Sequence, residues 1–259
     1  MPIVIKQYGE RRTGTNYVRA LMQANYPEAL VLTYILGDKH SPPAPLDAIW
    51  DAAQSSVDPE LEFVRRATLA VRSQNSHDGD ITQLAEMRKR AAAVAQAQRS
   101  GTMRFVITIK DPYAWIVSVA RFHQWVHNDV ETLHDWDCDQ LREMCLQYNR
   151  HYAAWRQLTQ ANPSRVAWIR YEDLLGGAEA AFRNVELTFG LSRERDFVDL
   201  PERIEPSWWD HLPVLKSESF DRSYYLERRY FERLQPMHMD IIAATIDWAP
   251  LTQFRYEPV

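Results

Sequence analysis

Four short apolar runs, none of which alternates strictly between apolar and polar residues, constrain the fold of this 259-residue chain most tightly. They cover residues 3–8, 29–36, 104–110 and 165–171 and are rich in Val, Ile and aromatic residues. Strands that are covered on both faces, as in a parallel sheet, have this composition because neither face meets water. Each run therefore predicts one buried strand.

Helical stretches separate these runs. Helices are predicted over residues 14–25, from Pro112 onward, and around residues 139–161 and 177–190. Asp111 is the predicted N-cap of the helix that has Pro112 at its first position. Strands that alternate with helices form parallel sheets with right-handed crossovers. We therefore expect a three-layer α/β/α fold around a central, mostly parallel sheet.

Residues 41–103 do not follow this alternation. A Pro-rich turn is followed by two or three predicted helices, which indicates a helical insertion over the active-site edge of the sheet. Such an insertion could act as a lid. Residues 192–235, rich in Trp, Tyr and Arg, are expected to close over the same edge. Without repeats or low-complexity linkers, residues 1–259 are expected to form a single domain.

Composition and charge exclude several classes of protein. The net charge of −5 argues against a general nucleic-acid or membrane-surface binder. The sequence has no apolar run of about 18 residues, so no membrane span is expected, and its first residues do not resemble a signal peptide. Cys138 and Cys145 lie seven positions apart in a predicted helix and are expected to be reduced. These features predict a cytoplasmic protein.

Residues 9–16, G-E-R-R-T-G-T-N, have the frame of a phosphate-binding P-loop, G-x-x-x-x-G-K-[ST]. Gly9 and Gly14 are correctly spaced, but Thr15 replaces the lysine that clamps the nucleotide. Asn16 replaces the hydroxyl that binds magnesium. The loop joins a predicted strand to a predicted helix, whose unpaired N–H groups and dipole favour an anion. We therefore expect a P-loop NTPase-like fold whose anion site is not built for magnesium–nucleotide chemistry.

The side chains of the same loop support an anion site. Thr13, Thr15 and Asn16 add hydrogen-bond donors to the backbone N–H groups. Arg11 and Arg12 add full charge, and a guanidinium can bind two oxygens at once. The alternative is a plain strand-to-helix turn with a solvated arginine pair, which the position of the loop after the first strand disfavours.

Three motifs, in order along the chain, resemble the sulfotransferases that use 3′-phosphoadenosine-5′-phosphosulfate (PAPS). Residues 12–17, RTGTNY, match the family's [KR]-[ST]-G-T-[TN]-[WYF] loop for the 5′-phosphosulfate. Lys110, Pro112 and Ser118 have the spacing of its 3′-phosphate motif, and Tyr171 in "IRYEDLL" matches a strand-end tyrosine near the adenine. The donor-binding residues that this resemblance implies are Arg11, Thr13, Gly14, Thr15, Asn16, Tyr17, Lys110, Ser118 and Tyr171.

The resemblance implies transfer of a sulfuryl group from PAPS to a hydroxyl or amine of a small-molecule or carbohydrate acceptor. Adenosine 3′,5′-bisphosphate (PAP) would be the product, and no metal would take part. Arg12 would neutralise charge on the bridging oxygen, His40 would be the general base, and Lys39 could place a second charge on the transferring group. Three carboxylates remain alternative bases: Glu10, Asp38 and Glu172.

The sequence departs from the family pattern at the 3′-phosphate site. Lys110 stands where the family usually has arginine, and a lysine lacks the two-pronged guanidinium. The usual C-terminal Arg-Lys-Gly motif is absent. The basic residues that could replace it are Lys216, Arg222, Arg228 and Arg229.

Other functions remain open at the level of sequence. His123 and His127 are four positions apart on one predicted helix, but no third ligand accompanies them, so packing or acceptor contact is favoured over a metal site. A kinase that uses ATP and magnesium is one alternative function. A non-catalytic nucleotide-binding module on the same fold is another. No motif identifies the acceptor.

Overall fold

The computed structural model describes residues 2–32, 38–43, 92–127, 137–200 and 221–259, without the side chains of residues 123–127. The His123 and His127 side chains, Lys216, residues 33–36 of the second apolar run and residues 44–91 of the expected insertion lie outside this description. Within the described residues, no helix is long and apolar enough to cross a membrane.

A parallel sheet forms the centre of the fold. Its four strands within the described residues are β1 Ile3–Gly9, β2 Ala29–Leu32, β3 Arg104–Ile109 and β4 Val166–Arg170. Their order is β2-β1-β3-β4, and every neighbouring pair is parallel. Gly9 pairs with Thr108, and Ile109 pairs with Arg170. The three motifs that resemble the sulfotransferases therefore begin side by side, because they follow the ends of β1, β3 and β4.

Helices cover both faces of this sheet. They are α1 Thr15–Asn25, α2 Pro112–His127, α3 Cys138–Ala161, α4 Tyr171–Phe189, α5 Ser223–Leu226 and α6 Pro236–Thr245. Residues 92–99 are also helical, and 3-10 turns cover Arg229–Arg233 and Ala249–Phe254. One hydrophobic core contains residues of α1 and α4, and the other contains residues of α2, α3 and α6. This arrangement confirms the expected three-layer α/β/α fold.

Burial on both faces explains why the strands lack alternation. In β3, Phe105 and Ile107 belong to the core with α2 and α3, whereas Val106 between them belongs to the core with α1 and α4. All three are almost fully buried. Because water reaches neither face, every position of such a strand favours an apolar side chain.

The helix α4 begins six residues earlier than the sequence predicts. It starts at Tyr171, and non-helical backbone at Gly177 kinks it at the position predicted for its start. Because the Gly176–Gly177 pair has low helix propensity, the sequence did not predict that the preceding turn is helical. That turn is held by the buried Leu174 and Leu175. Tyr171 is therefore the first residue of a helix, directly after the end of β4.

Candidate functional site

The loop between β1 and α1 depends on backbone conformations that glycine favours. Gly9 has a φ of 153°, and Gly14, the N-cap of α1, has a φ of 81°. A Cβ on Gly14 would lie 2.7 Å from the Tyr171 ring, and one on Gly9 would lie 1.9 Å from Thr108 Oγ1. Arg12, with a φ of 66°, adopts the left-handed region without being glycine. Such backbone strain is concentrated at functional sites in folded proteins.

The base of the loop is fixed by internal hydrogen bonds. The N–H and the hydroxyl of Thr13 both donate to the Glu10 carbonyl oxygen, at 3.3 and 2.7 Å. Thr13 Oγ1 also lies 2.9 Å from Thr108 Oγ1, and Gln7 Nε2 donates to the Thr15 carbonyl at 2.6 Å. Thr13 is fully buried. The structure thus places Thr13 beneath the loop, while the first N–H groups of α1 have no partner within the helix.

The segment that carries His40 is joined to the start of the loop. The Gly9 N–H donates to the Lys39 carbonyl at 2.9 Å, and His40 Nδ1 lies 2.7 Å from the Gly9 carbonyl oxygen. A carbonyl only accepts, so Nδ1 carries the proton and Nε2 keeps its lone pair. Burial, together with the Lys39 charge, lowers the pKa of His40 to about 3. The imidazole is therefore neutral at neutral pH.

Lys39 extends along the beginning of α1. Its ammonium donates to Asn16 Oδ1 at 2.5 Å, and the residue is buried. Asp38, the preceding residue, accepts a hydrogen bond from the His40 N–H at 2.7 Å. Arg11 and Arg12, in the loop itself, are exposed. The structure thus brings Lys39, His40 and the predicted anion loop together.

Lys110 connects the second motif to the first. Its Nζ donates to Ser118 Oγ at 2.6 Å and to the Arg12 carbonyl oxygen at 3.4 Å. Burial lowers the pKa of this ammonium, which is 1% exposed. The predicted cap is also present, because Asp111 Oδ1 accepts from the Tyr113 N–H at 2.8 Å. The cap fixes the start of α2 and hence the position of Ser118 relative to Lys110.

Tyr171 brings the third motif to the same place. Its ring lies against Gly14, and Lys110 Nζ lies 4.3 Å from the ring centre. Lys110 Nζ also lies 3.8 Å from the ring centre of Tyr225, which meets Tyr171 edge-on. The three motifs are therefore in direct contact at the carboxyl edge of the sheet, where ligands bind in open α/β sheets.

The three described arginines that were candidates for the missing C-terminal motif each face a carboxylate. Arg222 pairs with Asp199 at 3.2 Å and also donates to the Tyr17 hydroxyl at 3.1 Å. Arg228 lies 3.9 Å from Asp111. Arg229 pairs with Asp221.

A tyrosine from this segment reaches the Lys110 site instead. The Tyr225 hydroxyl lies 3.1 Å from Ser118 Oγ, across 107 positions of sequence. Sequence reasoning missed Tyr225 because it looked for a basic residue. Its position between several arginines was the only available signal.

The alternative bases are engaged in other contacts. Glu10 is buried, contacts the His151 imidazole, and accepts from Gln147 Nε2 at 3.4 Å. Glu172 accepts from the Asp111 N–H at 3.1 Å and from the Tyr256 hydroxyl. Asp38, the third alternative, accepts from the His40 N–H. His40 is therefore the candidate base that the geometry favours.

A separate cleft of about 280 Å³ lies along β4, α4 and the last 3-10 turn. Trp168, Arg170, Asn184 and Phe254 are among its lining residues. None of the predicted site residues lines this cleft. The candidate site is therefore the cluster of motif residues at the carboxyl edge of the sheet. Within the described part of the chain, no three His, Cys, Asp or Glu residues are grouped as metal ligands would be.

Comparison with known proteins gives a result at the level of fold. Neither a protein-family model nor a curated protein matches the sequence. The sulfotransferase domain of the Synechococcus PCC 7002 olefin synthase superposes with a TM-score of 0.50 at 14% identity, covering 99% of this chain and 95% of that domain. The sulfotransferase domain from the curacin biosynthetic pathway gives 0.48 at 15% identity, covering 100% and 99%. With the parallel sheet and its two helical layers, the first of these likenesses shows that the chain has a sulfotransferase-type fold.

Proposed function

We propose that the protein transfers a sulfuryl group from PAPS to a hydroxyl or amine of a small-molecule or carbohydrate acceptor. The observation that carries this proposal is the bond from Lys110 Nζ to the Arg12 carbonyl. It joins two anion-binding motifs that are 98 positions apart in the sequence. A nucleotide with phosphate groups at both its 3′ and 5′ positions needs two adjacent anion sites of this kind.

The buried ammonium supports an anionic ligand. Lys110 donates to two neutral oxygens, those of Ser118 and the Arg12 carbonyl. The Glu172 carboxylate, whose charge also acts on Lys110, accepts from the Asp111 N–H and the Tyr256 hydroxyl. Two tyrosine rings lie against the Lys110 ammonium. A buried charge is stable only when it is compensated, and a phosphate would supply the compensating charge. We therefore assign Lys110 and Ser118 to the 3′-phosphate.

The opposite end of the donor fits the start of α1. The N–H groups of its first turn, with Thr15 and Asn16, would bind the 5′-phosphosulfate, since unpaired N–H groups and the helix dipole attract anions there. Tyr171 would contact the adenine, and Arg11, Gly14 and Tyr17 would complete this side of the site. Thr13 would act from beneath, by holding the loop in shape.

In the proposed reaction, PAPS supplies an activated sulfuryl group, and the protein positions it and moves one proton. His40 Nε2 takes the proton from the acceptor, because its Nδ1–H is held by the Gly9 carbonyl. Arg12 and Lys39 stabilise negative charge near the transferred group. A bound anion would oppose the charges of Lys39 and Arg11, which lower the pKa of His40, and would make the imidazole a stronger base.

Two wider properties belong to this proposal. We propose a cytoplasmic location, in line with the net charge and the two free cysteines, Cys138 and Cys145. We also propose that residues 1–259 form one domain, with residues 41–103 as a helical insertion over the active-site edge that could act as a lid.

Ligand-dependent stability separates the proposal from its alternatives. We expect PAP to stabilise the protein by about 2.7 kcal/mol at a hundredfold excess over its Kd, and magnesium–ATP to have little effect. Stabilisation by magnesium–ATP without stabilisation by PAP would favour a kinase and end the proposal. A non-catalytic module would bind PAP but would transfer no label from PAPS to any acceptor in a cell extract.

A further inference from the structure

The Tyr225 hydroxyl is part of a hydrogen-bonded cluster with Ser118 and Lys110. Ser118 Oγ donates to the Ala114 carbonyl at 2.7 Å and accepts from Lys110 Nζ at 2.6 Å. Because the single Ser118 proton is directed to Ala114, the Tyr225 hydroxyl, 3.1 Å away, is the donor in its contact with Ser118. Tyr225 thus directs an O–H donor at the centre of the proposed 3′-phosphate site.

The charges around this hydroxyl favour an anion. Burial raises the pKa of Tyr225, but the charge of Lys110, together with the charges of Arg12 and Arg121, brings it below its usual value. Few buried phenols have a lowered pKa, because burial disfavours the charged form. The phenol oxygen therefore lies where the surrounding cations stabilise negative charge.

We propose that Tyr225 binds the 3′-phosphate of the donor and is a main determinant of preference for nucleotides that carry this phosphate. The inference rests on the proposed function, since it assigns a ligand to the donor site described there. A phosphate oxygen beside Lys110 and Ser118 would receive the Tyr225 hydrogen bond that Ser118 now accepts. Hydrogen bonds to charged groups are the stronger ones in proteins.

A second cation reaches this side of the cluster from α2. Arg121 is three residues after Ser118, and residues three apart lie on the same face of a helix. Its guanidinium lies 5.4 Å from the ring centre of Tyr224, the neighbour of Tyr225. The positive charges of Lys110 and Arg121 thus both act on the Tyr225 hydroxyl. Arg222, Arg228 and Arg229 of the C-terminal segment face carboxylates instead.

Two nucleotides that differ only in the 3′-phosphate test the inference. Calorimetric titration with PAP and with 5′-AMP should show that the wild-type protein prefers PAP. Tyr225→Phe keeps the ring over Lys110 but removes the donor. We expect it to weaken PAP binding about tenfold, or about 1.4 kcal/mol, and to leave 5′-AMP binding within twofold of wild type.

Tyr224→Phe is the matched control, because it removes a hydroxyl from the adjacent residue of the same short helix. It should keep the wild-type ratio of PAP to 5′-AMP affinity. Tyr225→Met removes the ring as well, and it should reduce the preference for PAP over 5′-AMP at least as much as Tyr225→Phe does. Thermal unfolding of each variant without ligand checks that the fold is retained.

The outcomes separate the two proposals. Equal affinity of the wild-type protein for PAP and 5′-AMP would contradict the proposed function itself. The other outcome is that wild type prefers PAP and that Tyr225→Phe and Tyr225→Met prefer it at least as strongly. That result would overturn the role of Tyr225 and leave the proposed function standing.

Discussion

Arg12 combines two tasks within one residue. Its left-handed backbone directs the carbonyl oxygen to Lys110 Nζ at 3.4 Å, and its guanidinium lies 5.0 Å from the Phe122 ring centre. Placing a non-glycine residue in this region costs of order 1–3 kcal/mol. The strain is offset by the surrounding contacts. Because the carbonyl is fixed by the backbone, the side chain can be altered without separating the two anion-binding motifs.

Removal of the Arg12 side chain should therefore affect chemistry more than folding. We expect Arg12→Ala to lower the rate of label transfer from PAPS by about 10²–10³, the usual effect of losing one stabilising donor. Its unfolding temperature should stay close to that of wild type. Arg142→Ala, which removes an exposed arginine paired with Asp139, is the control. Undiminished transfer by Arg12→Ala would remove Arg12 from the proposed mechanism.

His40→Asn tests the proposed base at the residue scale. Asparagine can still donate to the Gly9 carbonyl, but it cannot accept a proton from the acceptor. The transfer rate should fall about 10²–10⁴-fold, whereas the Kd for PAP should change little. A variant with a wild-type transfer rate would return the role of base to one of the carboxylates.

The same variant has a signature in the pH dependence of stability. The pKa of His40 is about 3 in the folded protein and about 6.5 in an unfolded chain. Between these values the unfolded state binds more protons, so His40 makes stability fall as the pH decreases from about 6.5 toward 3. Asp111, whose pKa burial raises to about 6, acts in the opposite direction. Subtracting the unfolding free energy of His40→Asn from that of wild type isolates the His40 contribution. This difference should decrease as the pH falls below 6.5.

At the scale of elements, the strands were predictable because their burial is visible in their composition. Phe105, Val106 and Ile107 are apolar in sequence because two cores enclose them. The Asp111 cap was also predictable, since its partners are two and three residues away. The start of α4 was not predictable, because buried leucines override the low propensity of two glycines. Tyr225 was hidden because its partners are about 100 positions distant, a relation that local patterns do not carry.

The β1–α1 turn allows a matched test of glycine geometry. Gly14 and Gly190 both have left-handed backbone at helix ends, but a Cβ would strike the Tyr171 ring only at Gly14 and would meet nothing within 4 Å at Gly190. Gly190→Ala should lower the unfolding free energy by about 1 kcal/mol. Gly14→Ala should lower it further and weaken PAP binding. Urea denaturation measures both, and equal losses would contradict the close packing of Tyr171 on Gly14.

At the scale of the whole molecule, the sheet holds two cores apart and gathers polar groups at one edge. Lys110 is a nearly fully buried ammonium at this edge, and it donates hydrogen bonds to the neutral oxygens of Ser118 and the Arg12 carbonyl. In the proposed function, such a group lowers the stability of the ligand-free protein and raises its affinity for the 3′-phosphate. The fold thus tolerates a destabilising charge because the rest of the sheet and its helices are apolar and well packed.

This trade-off predicts opposite effects of one substitution. Lys110→Met should raise the unfolding free energy of the ligand-free protein by about 1 kcal/mol or more, because it replaces a buried charge by an apolar chain of similar length. The same variant should lose the stabilisation by PAP. Lys110→Arg should keep that stabilisation, since the charge remains. A Met variant that is less stable than wild type and still responds to PAP would contradict both parts.

The paired bonds between Gly9 and the Lys39–His40 segment have a consequence for motion. The Gly9 N–H donates to the Lys39 carbonyl at 2.9 Å and the Gly9 carbonyl accepts from His40 Nδ1 at 2.7 Å, so a displacement of the loop carries the imidazole with it. Thermal fluctuations of the remaining chain would then shift donor and base together and leave their separation unchanged. If the loop binds the donor and His40 is the base, as proposed, motion of the surrounding chain would alter access to the site far more than the alignment of these two groups.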